Sequence, residues 1–242
     1  DVKSAFAQAD VVIEEEFQFG RHTGVTLESR SILADYDRGE EMLTLYQSTQ
    51  APHMKQALFA KHLQLEEHKV RIICRDVGGA FGLKAHAYGD EFATAAISKI
   101  LGRPVKFVAD RMESFLADIH ARDHVVKGKI GISAAGKILA IEIDDLTGIG
   151  PYSVYPRSSG MEVNQVCNLT GGPYKFDNYK ARGRVVFLNK PPMCQYRAVG
   201  HPIAITVTEG LVEMAASAIG MESMKMRKLN MVADDDYPNK TV

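Results

Sequence analysis

The sequence predicts an α+β fold in which helices pack on mixed sheets. Three observations carry that prediction. β-Branched runs and segments of helical apolar periodicity are interleaved without the strict alternation of a doubly wound sheet. The 242 residues, 45% of them apolar, suffice for a sizeable core. Three junctions share one form, strand then irregular turn then helix, at Gln50, Phe81 and Arg197.

Taken in order, Asp1 to Ala9 reads as a helical turn ahead of a strand over 10–19, where β-branched and aromatic residues mix with charges. Further strands are predicted over 26–36 and 41–48, joined by the Asp37-Arg38-Gly39 turn. Ser48-Thr49-Gln50-Ala51-Pro52 follows, and Pro52 suits the first turn of a helix carrying Met54, Ala57 and Leu58. The apolar run Val70 to Cys74 leads into a glycine-rich turn, Asp76 to Lys84. Next comes a helix with Ala93, Ala96, Ile97, Ile100 and Leu101 on one face, ended by Gly102 and Pro104. Strands over 104–109, 125–132 and 138–143 follow, the last two forming a hairpin through Gly136-Lys137. From Gly148 to Tyr174 scattered Gly, Pro and Ser residues give no assignable pattern. A strand over 182–188 precedes a Pro- and Gly-punctuated loop, Pro191 to Pro202. A helix with Val207, Leu211, Ala215 and Ala218 on one face then leads to a last short helix over about 222–231. The turn-like stretch Ala233 to Lys240 resembles a linker, so the chain reads as a piece of something longer.

Composition excludes several classes. A net charge of −1 gives no electrostatic footprint for nucleic acid or an anionic membrane surface. Cys74, Cys167 and Cys194 lie far apart, so neither a structural zinc site nor an iron–sulfur cluster can be assembled from them. An odd cysteine count without a signal peptide, and no apolar stretch of bilayer-spanning length, predict a soluble cytoplasmic protein.

The candidate motifs are individually weak. The turn at Gly78-Gly79-Ala80-Phe81-Gly82-Leu83-Lys84 has the spacing of neither a phosphate-binding loop nor a dinucleotide fingerprint. Local chemistry leaves a tight structural turn and a ligand loop both open. Its glycines permit close backbone approach, while Phe81 must pack inward or form a pocket wall. His120 and His124 are spaced i, i+4 without the glutamate of HExxH, and read as a solvated pair. Glu14, Glu15 and Glu16 read as a solvent-facing run, and Ser158-Ser159-Gly160 is not GxSxG.

Taken together, the motifs closely resemble one family: the molybdopterin-binding subunits of the xanthine dehydrogenase and aldehyde oxidase group, with the carbon monoxide dehydrogenase large subunits. Its GGxFGxK turn matches Gly78 to Lys84, its STQ element Ser48-Thr49-Gln50, and its YRGxGxP loop Tyr196 to Pro202. Glu28 and Arg30 fit a variant of the MEPR element, alongside Gly102 to Lys106 and Asp110 to Glu113. Gly220, Glu222, Arg227 and Asn230 follow the last motif, with Glu in place of Asp. The resemblance runs in order along essentially the whole chain.

The resemblance implies a molybdenum cofactor-binding domain over residues 1–242, divisible near 145 into subdomains of about 1–145 and 146–242. It implies that Gln50 bonds an oxygen ligand of molybdenum and is the catalytic residue of this chain. Gly79, Ala80, Phe81, Gly82, Tyr196 and Arg197 would bind the cofactor, with Gln50, Phe81 and Arg197 near the metal without ligating it. The implied cofactor is molybdopterin, as the simple or the cytosine dinucleotide form, and the implied reaction is hydroxylation with water as oxygen source. A second molybdopterin-binding half would supply the general-base glutamate, with iron–sulfur clusters and FAD on further domains or subunits and a dimeric full assembly. The isolated chain would be inactive. Ala85 stands where purine-oxidising members have a substrate-binding glutamate, which disfavours xanthine. Ala198 and Val199 replace the Cys-Ser of true carbon monoxide dehydrogenases, with Cys194 on the wrong side of Arg197 to substitute. An aldehyde or N-heteroaromatic substrate is left. The competing expectations are a non-catalytic docking scaffold of the same fold and a carboxylate hydrolase active without molybdenum.

Overall fold

Two four-stranded sheets, each with its own core, organise residues 1–237, the part of the chain described by the computed structural model. The first sheet contains β3 (Ser31–Asp37), β4 (Met42–Gln47), β5 (Val70–Ile73) and β6 (Val105–Val108), in the order β5-β4-β3-β6. β5 runs parallel to β4, and the other pairings are antiparallel. α2 (Pro52–Leu63) and α3 (Gly89–Leu101) cover it, burying Ile32, Leu43, Leu45, Phe59, Val70 and Ala95. The second sheet has the order β1-β8-β9-β10, from β1 (Val11–Phe19), β8 (His124–Ile132), β9 (Ile138–Gly148) and β10 (Tyr179–Val186). Its core joins Val126, Ile130, Ile141 and Ile143 to Val207, Leu211 and Ala215 of α6 (His201–Ala218), with Val166 of α5 (Met161–Leu169) and Met226 of α7 (Ser223–Asn230). α1 (Val2–Ala7), a two-stranded ribbon of β2 (His22–Thr23) and β7 (His120–Ala121), and α4 (Arg111–Ala117) complete the fold. Mixed sheets with packed helices are the α+β class predicted. A boundary at residue 145 would fall inside β9, with β9 paired to β10 on its far side. Pro238-Asn239-Lys240 of the turn-like tail lies outside the described residues.

Most elements fall where the patterns place them. The strand expected over 26–36 begins only at Ser31, since Thr26 to Arg30 form an irregular segment. The unreadable stretch after Gly148 holds α5, and α4 was signalled by a capping box: Asp110 Oδ1 accepts from the Glu113 N–H at 2.7 Å. The apolar face of α3 has the right period but the opposite phase. Ile97 and Ile100 are 43% and 72% exposed, whereas Glu91, Thr94, Ala95 and Ser98 face inward. Those inward polar groups have partners. The Ser98 hydroxyl accepts from the Tyr36 N–H at 3.1 Å and donates to the Arg103 carbonyl at 2.9 Å. α2 behaves alike: Met54 and Ala57 are exposed, and Lys55, fully buried beside Leu58, pairs with Glu91 at 2.8 and 3.0 Å. Among the described residues no single helix is long and apolar enough to cross a membrane.

The reading of His120 and His124 as a solvated pair is overturned. His124 is 1% exposed, and its Nδ1 lies 2.8 and 2.9 Å from the carboxylate oxygens of Asp145 on the neighbouring strand. The left-handed residues Arg122 and Asp123 (φ +70° and +64°) turn the chain between β7 and β8. They send His120 to the ribbon and His124 into the second core. Burial alone would lower the His124 imidazole, but the carboxylates of Asp145 and Glu162 outweigh it and push it up to about 9.

Two outcomes follow from this packing. Leu211→Ala should lower the unfolding free energy by about 2–5 kcal/mol, and Ile97→Ser by no more than about 0.5 kcal/mol, in denaturant titrations. A folded-state imidazole raised from 6.5 to about 9 contributes its full stability below pH 6.5 and loses it as pH climbs through 9. Stability should therefore fall over that window by on the order of 3 kcal/mol, and His124→Gln should flatten the slope.

Candidate functional site

Each of the three strand-turn-helix junctions delivers one element to the same place. At the first, β4 ends and Pro52 starts α2, which leaves Gln50 at the junction. At the second, the chain leaves β5 through the glycine turn. Phe81 takes φ +51° and Gly82 φ +103°, after which a short 3-10 turn over Leu83–Ala85 leads toward α3. At the third, the loop before α6 carries Ala198 and Val199 at φ +69° and +51°. Backbone and side-chain bonds tie the three together. The Gly82 N–H donates to Gln50 Oε1 at 3.0 Å, and the Arg197 N–H donates to the Phe81 carbonyl at 2.9 Å. Any Cβ at Gly82 would sit 2.5 Å from the Gln195 carbonyl oxygen, so only glycine allows the turn to close on the loop.

Polar groups fix this arrangement from behind, around a partly exposed Glu28. Glu28 Oε2 accepts from the Ser48 hydroxyl at 2.6 Å, the Gly78 N–H at 2.7 Å and the buried Lys84 ammonium at 2.8 Å. Burial works to raise the Glu28 carboxyl, but Lys84, Ser48 and Gly78 outweigh it and hold the group below its ordinary value. One carboxylate thereby bridges the Gln50 junction and both ends of the glycine turn. Arg30 is 1% exposed, bonds both oxygens of Asp90 at 2.6 and 2.7 Å, pairs with Asp118, and lies 3.7 Å over the Tyr88 ring. It anchors the start of α3 behind the glycine turn.

Together the junctions border a cavity of about 440 Å³. Gln50, Phe81, Gly82, Ala85, Tyr196 and Arg197 line it, and so do His53 and Arg157. Phe81, 42% exposed, is a pocket wall, not a core residue. Gly79 and Ala80 precede the lining residues Phe81 and Gly82 and are not themselves in the lining. A Cβ added at Gly79 would meet the Phe81 ring at 3.2 Å, so that ring packs closely on the Gly79 backbone. Cys194 is buried, and burial pushes its thiol up to about 12, which leaves it no thiolate to offer the cavity. A larger cavity, about 700 Å³, lies beside Tyr88, Phe92 and Tyr152 and contains none of the predicted site residues.

Sequence reasoning missed Arg157, which lies in the stretch that had no readable pattern. It also missed the residues that hold the loop from outside the cavity. Arg122 Nη2 donates to the Arg197 carbonyl at 2.9 Å, Nη1 donates to the Val199 carbonyl, and the same guanidinium pairs with Glu162. These contacts span 75 and 77 residues of chain, a separation no local pattern reports. Gly200 is the one legible trace of them. A Cβ there would lie 2.6 Å from the Glu162 carbonyl, so the loop's last residue is pressed onto α5.

The cavity's lining carries two arginines and no carboxylate, a glutamine whose Oε1 is engaged so that its Nε2 remains to donate, and backbone brought close by glycine. Such a donor set suits an anionic ligand. Comparison with known proteins agrees in kind. Residues 1–231 match the family described as the molybdopterin cofactor-binding domain. The chain is 32% identical to the nicotine 6-hydroxylase large subunit of Paenarthrobacter nicotinovorans, over 99% of this chain and 29% of that protein. Quinoline 2-oxidoreductase from Pseudomonas putida 86 superposes with a TM-score of 0.95 at 30% identity, over 100% of this chain and 31% of that one. Reconstituted CO dehydrogenase from Oligotropha carboxidovorans gives a TM-score of 0.90 at 28% identity, over 98% and 30% of the two chains. The chain thus spans about 30% of the length of these relatives. With the family matched along nearly all of its length and the fold shared with solved members, this chain belongs to the molybdopterin cofactor-binding domain family.

Proposed function

We propose that the cavity between Gln50, Phe81 and Arg197 is this chain's share of the active site of a molybdenum hydroxylase acting on an N-heteroaromatic compound or an aldehyde. The observation that carries the reading is the bonded convergence of Gln50, Gly82, Phe81 and Arg197. The bound cofactor, molybdopterin in its simple or cytosine dinucleotide form, supplies the redox chemistry: oxidation of a substrate carbon with water as the source of oxygen. The chain's own residues bind and orient. Gln50, its Oε1 fixed by the Gly82 N–H, presents its Nε2 as a donor to an oxygen of the metal centre. Gly79, Ala80 and Gly82 would bring backbone close to the cofactor, and the Phe81 ring would shield the centre from bulk water. Tyr196 and Arg197 would bring backbone and positive charge to the cofactor from the adjoining loop.

Ala85 shapes the substrate side. Its methyl group offers a purine no carboxylate, and it leaves apolar room for a flat ring or an aldehyde. The names of the nicotine and quinoline relatives refer to N-heteroaromatic compounds, which supports that class. The general base belongs to a second molybdopterin-binding half, and electrons leave through iron–sulfur clusters and FAD on further domains or subunits of a cytoplasmic, dimeric assembly. The subunit names of two relatives, a gamma subunit and a large subunit, support a multi-part enzyme. The isolated chain is accordingly expected not to turn over.

The full-length protein should contain molybdenum and release a fluorescent pterin, and it should reduce an acceptor dye with quinoline or benzaldehyde but not xanthine. Gln50→Ala should cut that turnover by about 100- to 1000-fold, the scale of losing one preorganised donor, with the melting temperature little changed. Absence of metal and pterin from the full-length protein would point instead to a docking scaffold, and an unaltered rate in Gln50→Ala would remove Gln50 from the reacting site.

A further inference from the structure

The loop from Tyr196 to Gly200 forms one wall of the cavity, and its shape is not set by its own residues alone. Ala198 and Val199 both occupy the left-handed region, at φ +69° and +51°, which a residue with a Cβ adopts only when its surroundings require it. One side chain bonds two of the loop's carbonyls at once. The Arg122 guanidinium donates to the carbonyls of both Arg197 and Val199, pairs with Glu162 on α5, and lies 5.4 Å from the Tyr196 ring. Arg122 is 5% exposed and Glu162 3%. Behind them, His124 Nε2 stands 3.7 Å from the second oxygen of Glu162, and His124 Nδ1 bonds Asp145. A run of four buried ionisable side chains therefore reaches from β9 to the loop, and none of the four lines the cavity.

We infer that Arg122 is a positioning residue for the cavity: clamped by Glu162, its guanidinium sets the backbone of Arg197 to Val199 and so the placement of Tyr196 and Arg197 at the cofactor. The consequence for the cofactor rests on the proposed function; the clamp itself does not. Arginine suits the task because its planar fork directs several donors at once, here to two carbonyls and a carboxylate. A lysine ammonium can satisfy Glu162 but cannot span both carbonyls in that plane. A group that served only to neutralise Glu162 would be replaceable by lysine.

Hydrogen exchange of the full-length protein separates the two roles. The loop amides have defined acceptors: Arg197 N–H on the Phe81 carbonyl, Val199 N–H on the Tyr196 carbonyl, and Gly200 N–H on Gln165 Oε1. In Arg122→Lys and in Glu162→Gln these amides should exchange about tenfold faster, as expected when one or two bonds that resist a local opening are lost. Amides of α6 beyond Val207 should keep their wild-type rates. Arg122→Ala should show the same local loss, and added ethylguanidinium should restore the protection. Molybdenum and pterin content should fall in parallel with loop protection across the variants. Unchanged loop exchange in both Arg122→Lys and Glu162→Gln, or acceleration spread evenly over α6 and the second sheet, would overturn the assignment. A wild-type protein free of molybdenum and pterin would remove the proposed function while leaving the exchange result to decide the clamp.

Discussion

Closure of the glycine turn onto the loop before α6 is the contact on which the site depends. Gly82 lies so near the Gln195 carbonyl that a single methyl group would be 2.5 Å from it. That approach lets the Phe81 carbonyl receive the Arg197 N–H while the Gly82 N–H, on the next residue, reaches Gln50. Two hydrogen bonds of ordinary length thereby join three segments that lie far apart in the chain. A larger residue at position 82 would have to push the loop away, and the Arg197 bond would open with it.

Both cores contain a buried charge system where an apolar contact would have served for stability alone. In the first, Lys55 meets Glu91, and Arg30 meets Asp90 and Asp118. In the second, His124 meets Asp145, and Arg122 meets Glu162. Buried ion pairs are weak sources of net stability, because desolvation consumes most of the Coulombic gain. They do resist displacement, since moving either partner strands the other. Here every such system backs onto a segment that leads to the cavity, and Glu28 with Lys84 and Ser48 does the same for the glycine turn. The polar interior therefore holds the geometry of the site more than it adds to folding free energy.

This also explains what could and could not be read from the sequence. Strands β1, β4, β6 and β8, the hairpin at Gly136, and α6 were legible because burial there follows apolar periodicity. The phase of α3 was not, since its inward face is Glu91, Thr94 and Ser98 and its isoleucines point out. Periodicity reports a helix, and it reports the buried face only where that face is apolar. Gln50, Phe81 and Arg197 were legible as junction residues with local turn chemistry. Arg122, His124, Asp145 and Glu162 were not, because each looks like an ordinary surface charge until the sheet register and α5 bring them together. The D-x-x-E cap of α4, Asp110 to Glu113, is legible in the sequence as a helix start.

Backbone strain is concentrated around the same cavity. Non-glycine residues at positive φ cost about 1–3 kcal/mol each, so a fold keeps them where something else over-determines the conformation. Glu41 and Gln64 take that conformation at an ordinary hairpin and a helix end. Phe81, Arg122, Asp123, Ala198 and Val199 do not fall at such places; they occur on the turn, the clamp and the loop that define one cavity. The clamp connects the last four. The strained pair Arg122-Asp123 aims the guanidinium that holds the strained pair Ala198-Val199, so the distortion in β7–β8 is what makes the distortion in the loop tenable. Relaxing either pair alone would leave the other without its partner, which couples the cavity wall to the second core as a mechanical unit.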